Sequence, residues 1–238
     1  MIEVALGSGR AIWTTRHGGV SLPPYDTANL SSRGADRPEA VRENRLRLAS
    51  TCGLPAPDEW WWLRQEHGRT TVTADGRLSA EAPAADAAVT ANIGVPLVVL
   101  TADCAPIALA TDDAIAVVHA GWVGLLAGVI DEAVAHLRAI GSGDLRAVLG
   151  PCIHPERYEF GRDDLDRVIA QIGPEVEGRT EDGKPALDLP AAVRASLSSV
   201  GVQAFEDVDV CTAASPDHFS HRRDGETGRQ ALVMVRER

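Results

Sequence analysis

The clearest pattern of hydrophobic and polar positions lies in the middle of the chain. Two short apolar runs there are separated by the adjacent aspartates Asp112 and Asp113, which predicts a β-hairpin. With the turn centred on this pair, antiparallel pairing places Pro106 opposite His119. Cys104 shares a face with Pro106 because side chains alternate along a strand, so Cys104 becomes a diagonal neighbour of His119. The hairpin therefore predicts that a thiol and an imidazole converge at one of its ends.

Elsewhere the chain changes between helix-like and strand-like patterns. Apolar residues recur every three or four positions from Leu125 to Ile140, which predicts an amphipathic helix. Another helix is predicted to be capped by Asp36 and to end at Gly53. The alanine-rich segment from Glu81 to Ala91 fits a short helix or an irregular loop. Further helices are predicted at 163–172 and 190–200, and strands at 11–16, 60–63, 70–73, 95–100, 145–149, 208–210 and 231–235.

This alternation favours one α/β (α+β) domain over residues 1–238, with antiparallel hairpins as well as helical crossovers. Hydrophobic residues make up 45% of the chain, as in ordinary globular proteins. The net charge of −11 argues against nucleic acid or an anionic membrane as a partner, since both are bound through basic patches. No apolar run reaches the roughly 18 residues that a membrane span needs, and the N-terminus does not resemble a signal peptide. We therefore expect a cytoplasmic protein, monomeric or weakly homodimeric.

Three residues carry the candidate chemistry. His67, Cys104 and His119 each lie where a predicted strand gives way to a loop, and the chain has no Cys-x-x-Cys pair. Imidazole and thiolate are ligands of zinc, and three protein ligands leave one position open for water or substrate. The alternative is that each side chain is merely buried or hydrogen-bonded. Asp103 precedes Cys104 and is a hydrogen-bonding partner of the ligands, a general acid/base or a turn residue.

A series of short motifs also follows in order along nearly the whole chain. They are Thr15–Ser21, Asn29-Leu30, Asn44-Arg45, Gln65–Gly68, Thr101–Pro106, His119–Trp122, Gly150–Ile153, and Cys211-Thr212 through Arg222–Asp224 and Thr227–Arg229. In this order they resemble a bacterial family known as purine nucleoside phosphorylases, multicopper polyphenol oxidoreductases or laccase-domain proteins. Relatives are also described as peptidoglycan-editing factors.

The resemblance implies a metal enzyme. His67, Cys104 and His119 match the family's three zinc ligands, with Cu²⁺ as an alternative ion. The implied reaction is phosphorolysis of adenosine, inosine, guanosine or methylthioadenosine to the free base and ribose 1-phosphate, with adenosine deamination as a side activity. The implied fold is two packed mixed β-sheets flanked by helices, similar to that of toxin deamidases.

The resemblance and the chemistry together define candidate site residues. Cys104 and Asp103 are the candidate catalytic residues, with Asp103 a proton shuttle during attack of metal-activated hydroxide on the purine C6 atom. Arg16 and Arg222 are candidates to fix phosphate near the sugar C1′ atom. The candidate substrate-binding residues are Arg16, Asn29, Arg45, Gln65 and Arg222.

One departure from the family pattern bears on phosphate binding. The family reads His-Ala-Gly-Trp-Arg-Gly, whereas this chain has Val123 in place of the arginine, which removes a cation near the metal and weakens the expectation of phosphate binding. A hydrolase with Cys104 as nucleophile and His119 as base is an alternative, as is an editing enzyme or a non-enzymatic partner for cell-wall precursors. A copper phenol oxidase is disfavoured because seven histidines without a His-x-His pair are too few for several copper ions.

Overall fold

The strands form two large sheets and one short hairpin in the computed structural model, which describes residues 1–76 and 81–237. The strands are β1 (Ile2–Leu6), β2 (Gly9–Trp13), β3 (Trp61–Trp62), β4 (Thr71–Thr73), β5 (Ala87–Thr90), β6 (Leu97–Thr101), β7 (Ala105–Ala110), β8 (Ile115–Ala120), β9 (Arg146–Leu149), β10 (Glu177–Arg179), β11 (Pro185–Leu187), β12 (Ala204–Asp207) and β13 (Gln230–Arg236). The first sheet has the order β1-β2-β13-β6-β3 and the second β12-β9-β7-β8-β5-β4. Both sheets mix parallel with antiparallel pairs.

The two sheets pack face to face around a shared apolar core. Trp13 and Val99 from the first sheet lie in the same buried cluster as Ile115 and Val117 from the second. Because side chains alternate across a strand, the neighbouring residues of each strand point to the opposite face of their sheet. Both faces of the second sheet are apolar, so each must be covered, one by the first sheet and the other by helices.

The helices cover the outer faces of the sheets. They are α1 (Pro38–Cys52), α2 (Trp122–Ala127), α3 (Val129–Ile140), α4 (Arg162–Ile172), α5 (Leu189–Ser199) and α6 (His221–Asp224). Helices α3, α4 and α5 pack on the second sheet, and Ala49 of α1 packs against Val98 and Val233 of the first. In this described part of the chain no helix is long and apolar enough to cross a bilayer.

The predicted central hairpin is confirmed. Strands β7 and β8 pair antiparallel with Pro106 opposite His119, as the turn at Asp112 and Asp113 requires. All twelve positions of the two strands are buried because the hairpin lies inside the second sheet. Strand β6 of the first sheet precedes the hairpin in the chain and ends at Thr101. Cys104 lies in the short connection from β6 to β7, next to the end of β8.

Two predicted helices differ from those observed. The helix predicted from Leu125 to Ile140 is split into α2 and α3, because Gly128 adopts a left-handed conformation with φ 85° that ends one helix and begins the next. Helix α1 ends before Gly53 as predicted, but its first cap is Arg37 without a side-chain hydrogen bond. The carboxylate of Asp36 instead accepts hydrogen bonds from other side chains of the neighbouring loop.

Two further predictions are wrong, that of a helix or loop in the alanine-rich segment and that of a strand at 208–210. The alanine-rich segment contains strand β5, whose four residues are buried on both faces, and small residues without alternation suit such a central strand. The strand predicted at 208–210 lies earlier, at β12, where it pairs in parallel with β9 at the edge of the sheet. Every second residue of β12 is exposed, so its sequence is polar and loop-like.

Candidate metal centre

Three side chains gather at one end of the central hairpin. His119 lies in β8, Cys104 lies just before β7, and His67 lies in the loop between β3 and β4. The Sγ atom of Cys104 is 3.8 Å from Nε2 of His67, and the two imidazole rings meet edge to face with centroids 4.8 Å apart. One ligand atom from each residue lies within 4.8 Å of the others. Within residues 1–76 and 81–237 this is the one group of three such side chains close enough to share a metal ion.

The backbone around the cluster has two residues with positive φ angles and a close approach at Gly121. His67 and Asp103 have φ angles of 58° and 98°, a left-handed region that residues other than glycine seldom adopt. Gly121 follows β8, and a Cβ atom there would lie 3.1 Å from Cδ2 of His67 and 3.2 Å from the Cys104 sulfur. The close approach of these two side chains therefore explains why position 121 is glycine.

Asp86 supports the cluster and was not predicted as a site residue. Its side chain is 1% exposed, and Oδ1 accepts a hydrogen bond from Nδ1 of His119 at 2.8 Å. Oδ1 also accepts the backbone N–H of His67 at 3.0 Å, while Oδ2 accepts the N–H groups of Glu66 and Gly68. The only signal in the sequence was a lone aspartate within an alanine-rich run.

The cluster also sets the protonation of its own members. Burial alone would raise the pKa of the Cys104 thiol, but the positive charge and hydrogen bond of His119 outweigh it and lower this pKa to about 6. Burial would lower the pKa of His119, yet the Cys104 thiolate and the hydrogen bond with Asp86 raise it to about 9. At neutral pH the metal-free cluster therefore holds a thiolate beside an imidazolium.

Asp103 is adjacent to the cluster, but both of its carboxylate oxygens are already hydrogen-bonded. Oδ1 accepts the hydroxyl of Thr212 at 2.6 Å, and Oδ2 accepts the backbone N–H of Arg222 at 2.7 Å. Its side chain is mostly buried. Asp103 thus fastens the C-terminal loop to the end of β6, which limits its freedom to carry a proton.

Three of the predicted substrate-binding residues have their polar groups engaged by the protein. The Arg16 guanidinium binds the carboxylates of Asp26 and Asp224 and lies over an aromatic ring. Asn29 is completely buried, and both its amide oxygen and nitrogen are hydrogen-bonded within the loops. Arg45 donates two hydrogen bonds to the Leu30 carbonyl.

The other two predicted residues lie closer to the cluster. Gln65 exchanges two hydrogen bonds with the backbone of Leu100 and so ties the His67 loop to β6. Arg222 donates to the carbonyl of Glu159, and its guanidinium lies 4.7 Å from the ring centroid of Tyr158. Gln65 therefore positions a loop, while Arg222 brings an exposed cation to the region of Asp103.

Three aromatic rings contact one another in a row and were not predicted as site residues. Trp122 directly follows Gly121 and meets Phe160 edge to face at 5.4 Å, and Phe160 meets Tyr158 in the same way at 5.3 Å. Arg222 then links Tyr158 back to Asp103, the neighbour of Cys104. The three rings thus form a continuous aromatic wall that runs from the residue after Gly121 to Arg222.

The donor set fits a divalent metal such as zinc. In a tetrahedral zinc site with bonds of about 2.0–2.3 Å, ligand atoms lie roughly 3.3–3.8 Å apart. Here Sγ of Cys104 and Nε2 of His67 are 3.8 Å apart, and all three ligand atoms lie within 4.8 Å of one another. Asp86 engages Nδ1 of His119, so Nε2 is the ring nitrogen available to a metal. Two imidazoles and one thiolate leave a fourth position open, which is typical of catalytic rather than structural sites.

The fold and the cluster thus define a mixed α/β protein with two facing sheets and a candidate His-Cys-His metal centre. The sequence profile of the family described as multi-copper polyphenol oxidoreductase laccase matches residues 10–237. The chain belongs to this family.

Its relatives extend over almost the same length. A Streptomyces griseus protein named purine nucleoside phosphorylase ORF3 is 41% identical over 231 residues, covering 94% of this chain and 93% of the relative. Purine nucleoside phosphorylase YfiH of Shigella flexneri is 37% identical over 93% of this chain and 91% of its own. The crystal structure of YlmD from Geobacillus stearothermophilus superimposes with a TM-score of 0.88 at 28% identity, covering 98% and 93% of the two chains.

Proposed function

We propose that this protein is a zinc-dependent purine nucleoside phosphorylase that converts a purine nucleoside and phosphate to the free base and ribose 1-phosphate. The observation that carries the proposal is the convergence of His67, Cys104 and His119 within 4.8 Å. Full-length relatives named purine nucleoside phosphorylase support the reaction class. Adenosine, inosine, guanosine and methylthioadenosine are the proposed substrates.

The ligand types support zinc as the resident ion. His67, Cys104 and His119 would hold the metal, which when bound supplies a Lewis acid and an activated water at its open position. Copper is favoured by the description of the family, and cysteine and histidine also bind copper. One three-ligand centre among the described residues, however, suits a single ion better than the several that a multicopper oxidase needs.

The surroundings supply plausible partners for the rest of the substrate. The rings of Trp122, Tyr158 and Phe160 offer flat apolar surface of the kind on which a purine packs. Arg222 is the proposed phosphate contact, because it is exposed and close to this wall. Arg16 is a weaker candidate since its guanidinium is already paired with two carboxylates.

Adenosine deamination is proposed as a second activity of the same centre. It requires a nucleophilic water near the purine C6 atom and a group that moves protons to the departing ammonia. Asp103 remains the proposed shuttle. To act in this way it would have to exchange one of its bonds, to Thr212 or to the backbone of Arg222, for a bond to the reacting water.

The test is to incubate metal-defined protein with adenosine, with and without phosphate, and to resolve adenine, inosine and ribose 1-phosphate. His67→Ala, Cys104→Ala and His119→Ala are the matched variants. Phosphate-dependent adenine that disappears in all three supports the proposal. If inosine is the sole product, the protein is a deaminase that does not use phosphate, in line with Val123 standing where the family has an arginine. No product from folded, zinc-loaded protein contradicts it and favours an enzyme or binding protein for cell-wall precursors.

A cysteine hydrolase is the second candidate, and one observation favours it. Cys104 with a pKa of about 6 and His119 with a pKa of about 9 form the thiolate–imidazolium pair that such enzymes use. In this reaction Cys104 attacks an acyl carbon and His119 protonates the leaving group. A chelator distinguishes the two candidate functions. Hydrolysis by the thiolate survives removal of the metal, whereas the zinc-dependent reaction stops.

A further inference from the structure

Asp86 joins the two histidines of the cluster through a single buried carboxylate. It reaches His119 through the side chain and His67 through the backbone, although these residues are 33 and 19 positions away in the chain. A carboxylate behind a metal-binding histidine fixes its tautomer and makes it a better ligand. Here the same carboxylate also occupies the concave turn formed by three successive N–H groups of residues 66–68.

The left-handed turn at His67 needs this anion. Without the Asp86 carboxylate, three N–H groups that converge on one part-buried point would lose their acceptor. His67 also has a positive φ angle, which is unfavourable for a residue other than glycine. The Asp86 oxygens satisfy all three donors at 2.8–3.2 Å. The backbone of β8 adds a further link, because the N–H of His119 donates to the Asp86 carbonyl at 2.7 Å.

We infer that Asp86 is the positioning residue of the metal centre and that it orients both histidine ligands at once. Its side chain directs Nε2 of His119 toward Cys104 and holds the His67 turn in the conformation that brings Nε2 of His67 to the same point. This inference rests on the metal-binding part of the proposed function. It does not depend on which reaction the metal serves.

The test measures zinc affinity by competition with a chelator of known affinity, with zinc alone and no nucleoside. Asp86→Asn keeps the size of the side chain but turns an NH₂ group toward backbone donors, so zinc affinity is expected to fall about 10- to 100-fold. Asp113→Asn is the matched control. Asp113 also accepts a backbone N–H and hydroxyls across a loop, at Ser142 and Thr111, but touches no member of the cluster. Zinc affinity is expected to remain within about twofold in this control.

Two further measurements separate positioning from folding. In zinc-loaded protein, proton NMR should show a protected ring N–H of His119 that is lost in His119→Ala and in Asp86→Ala. In a double-mutant cycle, Asp86→Asn should weaken zinc binding less in the His119→Ala background than in the wild type, because part of its effect passes through that ring. Folded Asp86→Asn protein with wild-type zinc affinity, equal effects in both backgrounds, or a loss matched by Asp113→Asn would each overturn the inference. Absence of phosphorolysis in wild-type protein that binds zinc would instead count against the proposed function alone.

Discussion

The metal cluster and the loop region of residues 16–45 are both dense in polar side chains, yet they use them in opposite ways. In the loop region Arg16, Asn29 and Arg45 donate hydrogen bonds to carboxylates and carbonyls of the protein itself. In the cluster, the metal-ligating atoms of Cys104 and of the two imidazoles instead converge within 4.8 Å of one another. Density of polar groups therefore does not mark a site, whereas convergence of metal-ligating atoms does.

The largest expected effect is on stability, and it falls in the loop region. Asn44 is buried, accepts the N–H of Val20 and donates to Ser21 and to two carbonyls. Asn44→Ala leaves several buried groups unpaired, so the free energy of unfolding should fall by about 2–4 kcal/mol. Urea unfolding measures this free energy, and Gln203→Ala is the control because Gln203 is exposed. Zinc affinity should stay within about twofold, and a parallel loss of zinc binding would break the contrast between the two regions.

The next effect is on the reactivity of Cys104 in metal-free protein. A pKa of about 6 leaves the thiol mostly ionised at pH 7, where an ordinary cysteine is roughly 3% thiolate, a difference of about 30-fold. The pKa is lowered, so the thiolate persists as pH falls until about pH 6 and is lost below it. Iodoacetamide labelling followed by mass spectrometry should show this midpoint.

The same experiment contains its controls. The pKa of Cys52 is raised by burial, so Cys52 should label slowly at every pH below 8. Added zinc should protect Cys104, because a bound metal occupies the sulfur lone pair. A labelling midpoint near pH 8.5 would show that the imidazoles do not act on this thiol.

A smaller effect is expected at Gly121. In Gly121→Ala the added methyl group would lie 3.1 Å from Cδ2 of His67 and 3.2 Å from the Cys104 sulfur. This crowding should weaken zinc binding by about tenfold. Gly161→Ala is the matched control, since Gly161 also precedes a helix but a Cβ there meets nothing within 4 Å. Equal zinc affinity in the two variants would mean that the ligands are not packed as tightly as described.

The smallest effect concerns phosphate. Arg222→Ala should raise the KM for phosphate by about five- to tenfold with little change in unfolding free energy, as expected for loss of one charged contact. Arg16→Ala should instead lower the unfolding free energy with little change in the KM for phosphate, because the Arg16 guanidinium joins Asp26 to Asp224. Steady-state kinetics at saturating nucleoside measures the first effect. An unchanged KM in Arg222→Ala would remove Arg222 from the substrate site.

Sequence patterns were most informative where chemistry follows from local periodicity. The turn at Asp112 and Asp113 set the pairing of Pro106 with His119, and that register alone placed Cys104 near His119. The residues alone made His67 a candidate ligand, but local pairing could not show its approach to Cys104, since its loop arrives from another part of the chain. Strand β5 escaped prediction because a strand buried on both faces loses its alternation.

Other features depend on contacts between distant segments. Asp86 is an isolated aspartate in an alanine-rich run, and only the folded chain shows its carboxylate bonded to residues 66–68 and to His119. Likewise, the sequence cannot show that the donors of Arg16 are already occupied. Tyr158 joins the aromatic wall only because Phe160 and Arg222 contact it in the fold.

The most direct test of the central claim is a zinc titration of metal-free protein, with the bound metal counted after dialysis. We predict one zinc ion per chain in the wild type and loss of that ion in His67→Ala, Cys104→Ala and His119→Ala, each with circular dichroism of a folded protein. Full retention of zinc by folded Cys104→Ala and His119→Ala, or no zinc in the wild type at neutral pH, would contradict a metal centre at this cluster.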